Sequence, residues 1–86
     1  MNPMNTVITP AAASRSAALM HNLSSELRLP DHRLHAFTRL REDLFLDSMD
    51  IDLLVAGLES KLEFYLTEEE ASQIETVGDL QQFFLR

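Results

Sequence analysis

Five apolar residues in the second half of this chain recur at spacings of three, four and seven, the period of one face of an α-helix. They are Ile51, Leu54, Val55, Leu58 and Leu62. Asp47 and Ser48 come directly before them, and both residue types favour a helix N-cap. Because the 86 residues include no cysteine, disulfides and thiolate metal sites are excluded. An apolar core that includes this helix must therefore hold the fold.

An earlier helix is predicted to begin at Thr9 and Pro10, a hydroxyl cap followed by proline at the first helical position. We expect it to end near Leu29, because Pro30 cannot continue it. We expect residues 1–8 to form a flexible leader and residues 9–86 to form one domain. Residues 30–46 carry scattered apolar residues without a sustained period, which predicts a long ordered loop with one short helical turn.

Two capping boxes predict the remaining helices. Thr67 with Glu70 starts a short third helix that runs to about Ile74, and Thr76 with Asp79 starts a fourth. Residues 63–66 form an extended loop between the second and third helices. The predicted fold is all-α, a small four-helix bundle with a long first loop and a short third helix.

The charges are unevenly divided along the chain. The net charge is −7, from 7 basic and 14 acidic residues. Residues 1–41 carry five Arg and two acids, whereas residues 42–86 carry twelve acids against Lys61 and Arg86. Such an acidic half repels phosphate backbones and anionic lipids, so we expect basic protein surfaces as partners, with no nucleic acid and no membrane insertion. The absence of a signal-peptide pattern predicts a cytoplasmic protein.

Several chemistries are excluded by residue spacing. The acids at Asp47, Asp50 and Asp52 do not fit a calcium loop, because Met49 stands where the second ligand belongs. His21, His32 and His35 lack the further ligands of a zinc site. No pattern around Ser48 indicates an activating base. We predict neither a metal site nor an enzyme. A chain of this size also has no room for the deep cleft of a large self-contained enzyme.

Ser48 has two interpretations. It is either an ordinary helix-capping serine or a serine that is itself modified, since backbone N–H groups and the helix dipole favour a phosphate ester at a helix N-terminus.

The surrounding sequence bears on this choice. Residues 43–50 read Asp-Leu-Phe-Leu-Asp-Ser-Met-Asp, which resembles the D-L-G-x-D-S-L-D phosphopantetheine attachment motif of acyl carrier proteins. Residues 66–71 resemble the entry to that family's third helix, and residues 74–80 are close to its I-T-T-V-G-D segment. The resemblance covers about residues 19–84. It implies a four-helix bundle in which Ser48 carries a covalent 4′-phosphopantetheine arm, derived from coenzyme A, with an acyl thioester at its end.

The same resemblance implies partners and further site residues. A phosphopantetheinyl transferase would modify Ser48, and acyl-transferring and acyl-modifying enzymes with basic docking patches would then act on the tethered group. The expected docking residues are Asp47, Met49, Asp50, Asp52, Leu53, Ala56, Glu59 and Glu63. The expected acyl-chain core is Leu40, Leu44, Leu54, Leu58, Leu62, Ile74, Val77 and Leu80.

Departures from the family pattern indicate a specialised carrier rather than the housekeeping one. Phe45 replaces the motif glycine, and we expect its ring to extend the apolar lining of the acyl-chain route. Where the family usually has an apolar residue followed by a glutamate, this chain has Asp52 followed by Leu53. Four arginines occupy the first loop: Arg28, Arg33, Arg39 and Arg41. The expected role is a monomeric carrier for fatty-acid, polyketide or related biosynthesis. Two alternatives stay open: an aminoacyl or peptidyl carrier, and an interaction module that is never modified.

Overall fold

The computed structural model describes residues 11–86, with side chains from residue 15 onward. Its helices are α1 (Ala11–Leu27), α2 (Ser48–Leu62), α3 (Glu68–Ser72) and α4 (Val77–Phe84), and a short 3-10 turn spans Asp31–Arg33 in the first loop. For residues 11–86, the predicted all-α fold with four helices is confirmed. The expected leader and the helix start at Thr9 and Pro10 lie outside the described residues. No helix within residues 11–86 is both long and apolar enough to cross a bilayer.

One apolar core joins the helices and the first loop. Burial of these side chains is the main favourable term in a fold without crosslinks. Residues of α1, α2 and α4 contribute, and so do loop residues on either side of α3. The buried core residues are Leu19, Leu23, Leu34, Leu40, Ile51, Leu54, Val55, Leu58, Ile74, Val77, Leu80 and Phe84.

Helix α1 ends two residues earlier than its sequence predicts. Its last residue is Leu27, and Arg28 takes a left-handed conformation with φ of 57°. The N–H of Leu29 donates to the carbonyl of Ser24 at 3.1 Å, the bond that closes a helix C-terminus around a left-handed residue. Pro30 therefore does not stop α1; it precedes the 3-10 turn.

The long first loop is ordered by backbone hydrogen bonds to the start of α4. The N–H groups of Val77 and Gly78 donate to the carbonyls of Thr38 at 3.0 Å and Ala36 at 2.8 Å. In return, the N–H of Leu40 donates to the carbonyl of residue 75 at 2.9 Å. The first N–H groups of a helix have no acceptor inside the helix, so the loop supplies what α4 lacks.

Both predicted capping boxes are present at the starts of α3 and α4. Helix α3 ends at Ser72 rather than near Ile74. The N–H of Ile74 donates to the carbonyl three residues back, at Ala71, which tightens the turn and lets the Ile74 side chain enter the core. Arg86 donates to the Glu70 carboxylate, and this hydrogen bond lowers the Glu70 pKa below its ordinary value. Residues 63–66 form an irregular connection, as predicted.

We predict that Gly78→Ala destabilises the protein. A Cβ at position 78 would lie 2.9 Å from the Ala36 carbonyl oxygen, a backbone atom held by the hydrogen bond just described. The crowding should cost about 1–3 kcal/mol and lower the melting temperature by several degrees. Gly57→Ala is the matched control, because the atoms nearest to a Cβ there belong to the end of the flexible Glu26 side chain, at 3.0–3.1 Å. Equal melting temperatures for the two variants would contradict the prediction.

Candidate functional site

Ser48 is the first residue of α2, and its side chain is exposed. The residue that caps the helix is Asp47: its carboxylate accepts the Asp50 N–H at 2.8 Å. The Asp50 carboxylate accepts the Asp47 N–H at 3.1 Å in return, which completes a capping box. Asp47 thus performs the capping that the sequence also allowed for Ser48. The Ser48 hydroxyl is left facing solvent at the helix N-terminus.

A guanidinium group lies beside this hydroxyl. Nη2 of Arg41 donates a hydrogen bond to Oγ of Ser48 at 3.1 Å, and both side chains are exposed. The sequence showed Arg41 only as one of four arginines in the first loop. Nothing in the local pattern distinguished it from the other three, because the contact depends on how the turn before α2 folds.

Asp43, the first acid of the motif, holds that turn together. Its carboxylate accepts the backbone N–H of Arg39 at 2.8 Å and pairs with the Arg39 guanidinium at 3.3 Å. The N–H of Asp43 donates to the Arg39 carbonyl at 2.9 Å. The backbone hydrogen bond, and then the guanidinium, lower the pKa of the Asp43 carboxyl below its ordinary value. The turn that leads to Ser48 is therefore held closed by contacts between Asp43 and Arg39, which use both the carboxylate and the backbone N–H of Asp43.

Phe45 lies in this turn with its backbone in the left-handed region, at φ of 60°. Glycine adopts this conformation without penalty, whereas a Cβ crowds the following carbonyl. The ring is 85% exposed. The exposure contradicts the expectation that the ring extends the apolar lining of the acyl-chain route, because the ring lies in solvent rather than against the core.

The chain is similar in sequence to several known proteins. No family model matches the chain. It is 39% identical over 66 residues to "Acyl carrier protein MbtL" of Mycolicibacterium paratuberculosis, covering 77% of this chain and 74% of the relative. The acyl carrier protein of Saccharopolyspora erythraea is 33% identical over 63 residues, 73% of this chain and 66% of the relative. That of Chlamydia caviae is 46% identical over 39 residues, 45% of this chain and 51% of the relative.

The chain belongs to the acyl carrier protein family. Members of this family are non-catalytic carriers, so the chain is not an enzyme, as its sequence predicts.

The expected docking residues of this acyl carrier protein differ in their local roles. Asp47 and Asp50 cap α2. Glu59 is partly buried, and its carboxylate accepts the Leu66 N–H at 2.8 Å, which secures the connection to α3. Glu63 is exposed and ends α2 in a left-handed conformation.

Next to Ser48, α2 presents a small mixed surface, which we call the α2 face: Met49, Asp52, Leu53 and Ala56, all exposed. Met49 is 70% and Leu53 64% exposed, unusually high for large apolar side chains on an amphipathic helix. The α2 face is therefore an apolar patch with an acidic residue within it.

Most of the expected acyl-chain residues lie in the core. Leu44 and Leu62 are only partly buried and pack against it. The buried members are Leu40, Leu54, Leu58, Ile74, Val77 and Leu80. A separate groove near Ser48 runs between α1 and the start of α2, lined by Glu26, Leu27, Leu46, Asp50, Leu53 and Leu54.

We predict that Phe45→Gly stabilises this acyl carrier protein. Left-handed backbone costs a residue with a Cβ about 1–2 kcal/mol, and glycine removes that cost at the expense of some unfolded-state entropy. Thermal unfolding should show a rise of a few degrees for Phe45→Gly. Phe45→Ala is the control, because it removes the ring but retains the Cβ and should gain nothing. Glycine no more stable than alanine would contradict a strained Phe45.

Proposed function

We propose that this protein carries acyl intermediates as thioesters on a 4′-phosphopantetheine arm esterified to Ser48. The observation that supports the proposal most directly is the exposed Ser48 hydroxyl at the first position of α2, released from capping by Asp47. The residues around it fit a phosphodiester: helix N-terminal N–H groups favour an anion, and the Arg41 guanidinium lies beside the oxygen that would bear it.

The attachment reaction balances with coenzyme A as the donor and a transferase as the catalyst. The Ser48 oxygen forms a bond to the phosphorus that bears pantetheine, and the pyrophosphate P–O bond breaks. Adenosine 3′,5′-bisphosphate leaves, and the Ser48 proton passes to a base of the transferase or to solvent. The arm supplies the thiol that a chain without cysteine lacks. The names of the relatives favour an acyl cargo over an aminoacyl or peptidyl one.

Tethering also explains why a weak docking surface suffices. A group held on a flexible arm has a high effective concentration at any enzyme that docks on the carrier, so each interface can exchange rapidly. Fatty-acid, polyketide or related enzymes are the proposed partners, after a phosphopantetheinyl transferase. The monomeric state and the cytoplasmic location stay predictions.

Ser48→Ala should abolish modification. Incubated with coenzyme A and a phosphopantetheinyl transferase, the unchanged protein should gain the mass of one phosphopantetheine per chain, measured by intact mass spectrometry. Ser48→Ala should gain none while its helical circular dichroism is unchanged. Ser60→Ala, a matched change at another exposed serine of α2, should be modified as usual. An unchanged protein that gains no mass would favour the unmodified interaction module.

The proposed docking surface is the α2 face, with Asp47, Asp50, Glu59 and Glu63 around it contributing negative charge. Apolar Met49 and Leu53 supply contact area, while the acids steer basic partners toward the helix. Asp52 is the sharpest probe of this charge, because Asp50 and Glu59 also hold backbone N–H groups and their substitution would disturb the fold.

Asp52→Lys should slow modification by the transferase, on the order of threefold or more in kcat/KM at low salt. The loss should shrink in 0.5–1 M NaCl, where exposed charges are screened beyond a few ångströms. Glu69→Lys makes the same charge change on exposed α3 and serves as the control. If both variants lose kcat/KM equally, net charge rather than the α2 face governs association.

We also propose that the core beneath α2 parts to take up the acyl chain. The expected residues Leu54, Leu58, Leu62, Leu40, Leu44, Ile74, Val77 and Leu80 supply an apolar surface there. Each methylene group moved out of water is worth about 0.8 kcal/mol before the cost of opening the core.

A bound chain stabilises the fold by linkage, so the melting temperature should rise with acyl length from the holo form to progressively longer acyl forms. Differential scanning calorimetry on the acylated series measures this. A melting temperature independent of length would mean that the chain stays outside the core, either in solvent or in the groove between α1 and α2.

A further inference from the structure

The contact between Arg41 and Ser48 becomes significant once Ser48 is considered as the site of an added negative charge. Ser48 lies directly after Asp47 and two residues before Asp50, in a half of the chain with twelve acids and two bases. A phosphodiester on Ser48 would add another anion to this surface, and like charges this close repel one another. The unmodified protein already places one guanidinium against the oxygen that would carry the new charge.

The arginines of the first loop are not equivalent in this respect. The Arg39 side chain is paired with the Asp43 carboxylate. Arg28 directly follows the last residue of α1, and Arg33 ends the 3-10 turn. Arg41 is the one whose side chain contacts the modification serine, and its backbone belongs to the turn that Asp43 holds. The turn that delivers Ser48 therefore also delivers a cation to it.

We propose that Arg41 is a positioning residue: the protein's counter-ion for the phosphodiester formed at Ser48. This inference rests on the proposed function. A guanidinium carries five N–H donors, so it can bind the anionic oxygens of a phosphodiester with more than one hydrogen bond. The interaction offsets the repulsion from Asp47 and Asp50. It also holds the base of the arm toward the first loop, which biases the direction in which the arm leaves the protein.

The test compares the unmodified and phosphopantetheinylated forms of four proteins: unchanged, Arg41→Gln, Arg41→Lys and Arg33→Gln. The measured quantity is the melting temperature of the modified form minus that of the unmodified form of the same protein. This difference cancels any effect that a substitution has on the fold itself. Arg33→Gln is the matched control, since it removes the same charge from the same loop and leaves Arg41 in place.

For Arg41→Gln this difference should fall by about 2–5 °C relative to the unchanged protein. Arg41→Lys should recover part of the loss, because lysine keeps the charge without the bidentate geometry. Arg33→Gln should match the unchanged protein. In 1 M NaCl the Arg41→Gln effect should largely disappear, as expected for an exposed ion pair. The Arg41 Nε–H resonance should also shift on modification, and that of Arg33 should not.

The possible failures are separable. If intact mass shows no modification of Ser48, the proposed function fails. If Ser48 is modified but Arg41→Gln and the unchanged protein give the same difference, the role of Arg41 is overturned and the carrier function stands. Equal losses for Arg41→Gln and Arg33→Gln would also overturn it, because they would reflect net charge alone.

Discussion

The backbone hydrogen bonds between residues 36–40 and residues 75–78 are the constraint on which the rest of this structure depends. They fasten the long first loop to the start of α4 and supply acceptors to the N–H groups of Val77 and Gly78. With the loop fixed at Leu40, a short turn held by Asp43 leads directly into α2. The position of Ser48 therefore depends on α4 as well as on its own helix.

Neighbouring residues at the start of α2 have different structural roles. Asp47 caps the helix, which leaves the hydroxyl of Ser48 available for chemistry. Asp43 keeps the preceding turn closed through the backbone of Arg39. Phe45 has no comparable role in the fold, because its backbone is in a left-handed conformation while its ring lies in solvent. Backbone strain that is not compensated by packing in the core is typical of sites that contact other molecules.

The uneven distribution of charge along the chain can also be interpreted at the start of α2. Acids predominate on and after α2, whereas arginines predominate in the first loop, and the two groups meet at the contact of Arg41 with Ser48. An acidic helix suits basic partner enzymes. One cation beside Ser48 suits the anionic linkage proposed there without changing the sign of the surface around it. The acidic surface can thus attract basic partners at long range, while the single cation acts only on the group next to it.

The sequence by itself determined the helices, the capping boxes and the position of Ser48 at the start of α2, because these signals arise within a few residues of one another. Apolar spacing places Leu54 and Leu58 on one face, and Thr67 with Glu70 or Thr76 with Asp79 marks a helix start wherever the chain goes. Only the tertiary structure decided the end of α1 at Leu27, the engagement of Glu59 with the Leu66 N–H, the outward ring of Phe45 and the contact of Arg41 with Ser48. Each of these depends on a backbone conformation or a partner that packing selects, and residue type and spacing do not specify which donor will meet which acceptor across a turn.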